Sequence, residues 1–171
     1  MKKIVVTGGS GFIGTNLINF LLRKNYFVIN IDKLTYSSNN LTHKSKNYKF
    51  YKADIIDKKK LIKIIQHQKP SAIFNLAAET HVDRSIDGPE SFINTNIIGT
   101  FNLLEVIRTL NIKSLKLIHV STDEVYGDIL GLKRSDENFP YQPSSPYSAS
   151  KASADHIIKS YIRTYKINAV I

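Results

Sequence analysis

A chain of 171 residues, 42% hydrophobic and 22% charged, is long enough for one domain with a sizeable core. It has no cysteine, which excludes disulfides, thiolate nucleophiles and thiolate metal sites, and no apolar run reaches the roughly 18 residues a membrane span needs. The formal charge of +10 is scattered through amphipathic segments, so neither nucleic acid nor a membrane is the expected partner, and its densest cluster, Lys58-Lys59-Lys60, reads as a solvated helix start.

The first strand, residues 2–7, runs into glycine before a signal-peptide core develops, so a cytoplasmic location is expected. The turn that follows carries Gly8, Gly11 and Gly14 and opens a helix with Ile13, Leu17, Phe20 and Leu21 at helical spacing. In such a turn Gly8 permits the bend, Gly11 lets backbone approach a pyrophosphate and Gly14 lets helix pack on strand, with the helix N-terminus facing the phosphates. A second strand, 26–31, ends in Asp32, 18 residues after Gly14, where a carboxylate can accept hydrogen bonds from an adenosine ribose. Asp32 favours NAD over NADP, although Lys33 beside it leaves room for the phosphorylated cofactor.

Residues 34–47 read as a polar loop or short helix, and a third strand, 48–53, ends in Asp54-Ile55. Asp54 can reach an adenine or cap the helix starting near Asp57, whose apolar face is Leu61, Ile62, Ile64 and Ile65. A fourth strand, 72–76, leads into Ala77-Ala78-Glu79-Thr80-His81-Val82-Asp83-Arg84-Ser85. The small Ala77 and Ala78 suit backbone passing close to a cofactor, His81 is either structural or ligand-touching, and Arg84 can pair with a phosphate or with Asp83. Residues 90–110 have the pattern of one long helix whose apolar stripe, Phe92, Ile93, Ile97, Phe101, Leu104 and Ile107, is wide enough to meet another subunit.

The fifth strand, Leu115 to Val120, delivers Thr122, Asp123 and Glu124 to its carboxyl end, where open parallel sheets bind ligands. Adjacent carboxylates there can be driven apart in pKa, one serving as acid and one as base. A proline-bearing loop runs from Gly127 to Pro146, followed by a helix to Tyr165 that places Tyr147 and Lys151 one turn apart on one face. An ammonium beside a phenol favours the phenolate and brings it toward the range of a working base.

TGGSGFIG (Thr7 to Gly14) and YSASK (Tyr147 to Lys151) resemble the extended short-chain dehydrogenases/reductases of the NAD-dependent epimerase/dehydratase family. AAETHVDRS (Ala77 to Ser85) and STDEVYG (Ser121 to Gly127) resemble more narrowly the N-terminal portion of its dTDP-glucose 4,6-dehydratases, since relatives that only epimerise or reduce generally lack the adjacent Asp-Glu. The resemblance implies a Rossmann-type doubly wound parallel sheet in three α/β/α layers, with residues 1–171 as an incomplete NAD-binding domain lacking its substrate domain. It implies Thr122, Asp123, Glu124, Tyr147 and Lys151 as catalytic residues of a hydro-lyase that oxidises C4, eliminates water across C5 and C6 and returns hydride to C6. NAD would contact Gly8, Gly11, Phe12, Ile13, Gly14, Asp32, Lys33, Leu34 and Thr35 on one side of the sheet centre. Asp54, Ile55, Leu76, Ala77, Ala78, Glu79, Thr80, Thr95, Tyr147 and Lys151 would complete that site. Thr80, His81, Arg84 and Thr122 would meet the sugar nucleotide, no metal is implied, and a homodimer would form through residues 90–110 and 146–165. Two other readings are a dehydratase of a UDP-linked sugar and a catalytically silent NAD-binding or dimerisation fragment.

Overall fold

A computed structural model describes residues 1–39, 43–129 and 134–171. The loops expected over 34–47 and between Gly127 and Pro146 fall partly on residues outside that description. The chain runs β1 (Lys3–Thr7), α1 (Phe12–Arg23), β2 (Phe27–Asp32), β3 (Tyr48–Lys52), α2 (Lys58–Gln68), β4 (Ala72–Asn75), α3 (Val82–Asp87) and α4 (Glu90–Phe92). A π-helical segment, Ile93–Gly99, joins α4 to α5 (Thr100–Thr109), and β5 (Lys116–His119), a short 3-10 turn (Asp123–Tyr126), α6 (Pro146–Tyr165) and β6 (Ala169–Val170) complete it.

Among the described residues the strands form one parallel sheet in the order β3-β2-β1-β4-β5-β6. The chain winds outward from β1 to β3, then returns to the other side of β1 with β4, which makes the crevice between the carboxyl ends of β1 and β4 the topological switch point. Register pairs Thr7 with Ile31 on one side and with Asn75 on the other, so β1 and β4 end level at one rim and β2 runs one residue further, to Asp32.

Successive strand residues face opposite sides, and both sides are covered, as all-parallel sheets require. Val5, Ile29, Ile31, Ile73 and Leu117 bury against α2, α5 and α6 through Leu61, Ile65, Leu103, Leu104 and Ile158. Ile4, Val6 and Val28 turn the other way and meet Ile18 and Leu21 of α1. Of the stripe expected from Ile13, Leu17, Phe20 and Leu21, Leu21 is buried and Leu17 packs partly buried on the same cluster, whereas Ile13 and Phe20 are exposed and Gly14, Thr15 and Ile18 complete the buried face. A three-layer Rossmann architecture follows from these two packings.

The long helix expected over 90–110 forms, but with a π-helical middle. Gly99 in that segment lies against the Ile55 side chain, where a Cβ would collide with it. The wider turn sets Thr95 and Asn96 toward the sheet rim and leaves Ile93, Ile98 and Phe101 exposed. Glu105 ties three helices together: it accepts both guanidinium bonds of Arg108, at 2.7 and 2.9 Å, the Tyr161 hydroxyl at 2.8 Å and the Lys58 ammonium at 3.4 Å. Lys58 therefore belongs to a helix contact and not to a merely solvated lysine face. Helix α6 starts on a capping box, Ser145 with Ser148, and Pro146 in its first turn, which fixes the entry of Tyr147. No helix among the described residues is long and apolar enough to cross a membrane.

Candidate active site

A cleft of about 370 Å³ opens at the switch point, a volume within the range of about 300–1,000 Å³ usual for small-molecule sites. Its floor depends on two glycines. Gly8 has φ +68°, and a Cβ there would stand 2.7 Å from the Ala77 amide nitrogen, so the β1 turn and the segment after β4 touch backbone to backbone. Gly14 packs on that same turn, its missing Cβ directed at the Gly8 carbonyl and the Gly9 Cα. Gly11 caps α1 and, with Phe12 and Ile13, lines the cleft; both of those side chains are largely exposed.

At one end of the cleft Asp32 is buried, accepting the Ser10 N–H at 2.9 Å and the Leu34 N–H at 2.8 Å. Leu34 does not line the cleft as expected. Its backbone is left-handed, φ 62°, so that its N–H turns back onto Asp32 while its side chain faces solvent. Lys33 lies on the cleft wall with its ammonium 3.2 Å from Glu79, 3.7 Å from Asp54 and 3.3 Å from the Thr95 hydroxyl. The room for a phosphorylated cofactor expected at Lys33 is thus taken by two carboxylates. Asp54 lines the cleft beside Ile55 and accepts the Ile56 N–H, while the cap of α2 is Asp57, which accepts the Lys60 N–H, so Asp54 is not the helix cap.

Along the middle, Thr35, Leu76, Ala77, Ala78, Glu79, Thr80 and Thr95 all contribute to the wall. Asn96 holds the Glu79 backbone by both its N–H and its carbonyl, at 2.9 Å each, and donates to the Ser150 hydroxyl at 2.8 Å. His81 and Arg84 stand outside the cleft on the exposed start of α3. The Arg84 guanidinium lies 3.8 Å above the Tyr36 ring, so it stacks on an aromatic face, a partner not among those considered for it.

At the other end Tyr147 and Lys151 both reach the cleft wall and both are buried. Tyr147 is pushed above its ordinary value by burial, opposed by a hydrogen bond with Thr122 and reinforced by the charges of Glu124 and Asp123. The expected lowering by Lys151 is not found, because its ammonium is directed elsewhere: it donates to the Val120 carbonyl at 2.6 Å and faces His119 at 3.4 Å. Burial brings Lys151 itself down to about 8, with the charge of Asp155 acting against that fall. Thr122 and Asp123 border a separate, open depression with Ser121, Tyr126, Tyr141 and Asp155, and the Asp123 and Glu124 side chains are exposed.

Sequence reading found most of the cleft wall and missed the polar frame behind it, namely Asn75, Asn96, His119, Ser150 and Asp155. The available signal was polar residues at core positions: Asn75 and His119 end apolar strands, and Asp155 recurs one turn after Lys151 on the same helix face.

Residues 5–171 match the protein family described as GDP-mannose 4,6 dehydratase. The dTDP-glucose 4,6-dehydratase of Neisseria meningitidis serogroup B is 45% identical over 184 residues, which cover 100% of this chain and 52% of that protein. The crystal structure of the dTDP-glucose 4,6-dehydratase of Streptomyces venezuelae with NAD bound matches with a TM-score of 0.91 and 38% identity, over 98% of this chain and 53% of its own. The UDP-glucose 4-epimerase of Thermus thermophilus in complex with NAD matches with a TM-score of 0.89 and 30% identity, again over 98% of this chain and 53% of its own. The chain spans about half the length of the curated relatives it matches.

Proposed function

The chain belongs to the GDP-mannose 4,6 dehydratase family, and from that premise we propose that it is the NAD-binding and catalytic portion of a dTDP-glucose 4,6-dehydratase. The observation that carries this reading is the placement of Tyr147 and Lys151 on the wall of the switch-point cleft, with Thr122, Asp123 and Glu124 following β5 at the same rim and the two carboxylates acting on the phenol. A shared fold does not choose between epimerase and dehydratase, whereas an acid and a base beside the oxidising pair suit elimination.

The residues present suit NAD. Helix α1 has no side-chain cap and no acidic residue in its first turn, which leaves its first N–H groups and dipole for a pyrophosphate. Asp32 stands where a ribose would be held, and Asp54 and Glu79 around Lys33 would repel a further phosphate there, which selects NAD over NADP. Bound NAD supplies a hydride acceptor for the sugar C4 and a hydride donor for C6. Tyr147 would take the proton of the 4-hydroxyl, with Thr122 holding that oxygen and Lys151 supplying positive charge. A ketone at C4 acidifies C5, so Glu124 would remove the C5 proton while Asp123 gives a proton to the 6-hydroxyl, which departs as water. The product is dTDP-4-keto-6-deoxyglucose.

The nucleotide and most of the sugar would be gripped by a substrate domain corresponding to the rest of the relatives' length. The exposed Ile93, Ile98 and Phe101, with Tyr165 of α6, support a homodimer through these helices. A cytoplasmic location is in keeping with such an enzyme.

Calorimetric titration of the chain with NAD and separately with dTDP-glucose tests the reading. NAD binding with a Kd on the order of micromolar is expected, with weak or no sugar-nucleotide binding; binding of neither would overturn it. In a polypeptide extended with a relative's substrate domain, mass spectrometry should show a sugar nucleotide that has lost one water. Inversion at C4 without water loss would make the site that of an epimerase.

A further inference from the structure

Behind Lys151, on the side away from the cleft, lies a set of buried polar groups that the reaction above does not use. His119 ends β5 and is 3% exposed; Asp155 lies one turn beyond Lys151 on α6 and is 0% exposed. A histidine and a carboxylate in such positions need partners, and the partners define their states.

The orientation of the ring follows from a chain of hydrogen bonds starting at the glycine turn. The Ala77 N–H donates to the Thr7 hydroxyl at 3.3 Å, and that hydroxyl donates to Asn75 Oδ1 at 2.7 Å. The Asn75 amide nitrogen is therefore the group facing His119 Nδ1 at 3.0 Å, and Nδ1 must accept. Burial and the neighbouring Lys151 charge lower His119 to about 3, so the ring is neutral and its single proton sits on Nε2.

His119 Nε2 lies 3.4 Å from Lys151 Nζ and 3.6 Å from Asp155 Oδ1. Two donors cannot satisfy each other, so the ammonium turns to the Val120 carbonyl while Nε2–H faces Asp155. Asp155 Oδ1 is otherwise a buried oxygen without a hydrogen-bond partner among the described residues, whereas Oδ2 accepts the Ser121 hydroxyl at 2.6 Å and the Tyr141 hydroxyl at 3.1 Å. Burial raises Asp155 above the ordinary carboxylate value, and the Ser121 and Tyr141 hydroxyls and the charges of Lys151 and Lys159 oppose that rise, so its surroundings are arranged around an acceptor. A direct ion pair would draw the ammonium back from the cleft. The neutral ring stands between the two and lets the charge act without the contact.

We propose that Asp155 is a positioning residue for Lys151, its buried charge acting past the His119 ring as the counter-charge that keeps the ammonium charged while the ring leaves it free to serve the cleft. The inference rests on the reading of Tyr147 and Lys151 as the acid-base pair. The groups that bear on it from neighbouring elements are His119 on β5, Lys159 on α6, Ser121 and Tyr141 beside Asp155, and Asp123 and Glu124 beside Tyr147. Removal of the Asp155 charge must lower the pH at which Lys151 loses its proton, because the ammonium then stands buried without compensation.

The experiment is an NMR titration of the intact chain labelled at the lysine ε-carbons, with the Lys151 signal assigned from Lys151→Arg. Asp155→Asn, which keeps the shape of the side chain, should move the Lys151 titration down by about one pH unit or more from the native midpoint. Ser121→Ala removes one hydrogen bond from the carboxylate and should move it in the same direction by less; it decides the matter where Asp155→Asn fails to fold. An unchanged Lys151 midpoint in a folded variant, with only the melting temperature lowered, would overturn the proposal. The readout needs no turnover or sugar nucleotide, so a chain that fails as a dehydratase can still show the Asp155 effect, and the reverse.

Discussion

The two ends of the cleft are built differently. At the Asp32 end the two charged side chains that follow β2 are already engaged: Asp32 by two backbone N–H groups, Lys33 by Glu79, Asp54 and Thr95. At the Tyr147 end the proposed proton-handling pair is buried, but Asp123 and Glu124 stand exposed on a 3-10 turn. The first end is a binding surface fixed by the sheet rim. The second is a rigid pair beside carboxylates that still need water excluded from them before they can differ in acidity. Cofactor binding should thus survive changes that stop the chemistry, and the converse should not hold.

Four substitutions probe that difference, in falling order of expected effect. Gly14→Val forces a branched side chain onto the Gly8 carbonyl and Gly9, and should cost about 100-fold or more in NAD affinity by titration, with circular dichroism reporting any loss of fold. Asp32→Ala removes the proposed ribose acceptor and strands the Ser10 and Leu34 N–H groups. NAD affinity should fall by about 10- to 100-fold and stability by about 1–3 kcal/mol, the latter read from urea unfolding. Unchanged NAD affinity would mean the ribose site is misplaced.

Glu105→Gln lies far from both ends and should lower stability by about 1–2 kcal/mol at neutral pH while leaving NAD affinity alone. Its pH dependence has a defined sign. Hydrogen bonds from Arg108 chiefly, and from Tyr161 and Lys58, hold Glu105 down to about 2 in the folded chain, so its contribution is complete above the ordinary carboxylate value and is lost as pH falls from there through about 2. Native and variant unfolding curves should therefore converge across that acid window. Asp123→Asn should change NAD affinity least, by about twofold at most, since Asp123 lies off the cleft wall. In a polypeptide carrying a substrate domain the same change should block water loss while still permitting hydride transfer to NAD, seen as accumulating NADH absorbance. Equal loss of both would sink the division of labour between Tyr147 and Asp123.

The cleft wall was legible because its determinants are short in sequence. A glycine turn, an acid at the end of β2 and small residues after β4 each declare a local backbone need, and strand ends in a parallel sheet converge on one rim wherever the strands are read correctly. Leu34 escaped because a left-handed residue cannot be told from its neighbours by hydropathy. Arg84 escaped because its partner, Tyr36, sits in a loop whose path no periodicity reveals. The π-helical turn at Ile93–Gly99 kept the apolar pattern of an ordinary helix and so remained invisible until Gly99 was seen against Ile55.

By itself the sequence determined the alternation of strands and helices, the glycine turn, the acids at the strand ends and the Tyr147–Lys151 pair, since each depends on spacing along the chain. Only the tertiary structure decided that Lys33 is held by carboxylates, that Lys151 donates to the Val120 carbonyl, and that Asp155 stands behind His119. Those facts rest on groups tens of residues apart brought together in a buried place, where the low dielectric makes each partner decide the charge and proton position of the next.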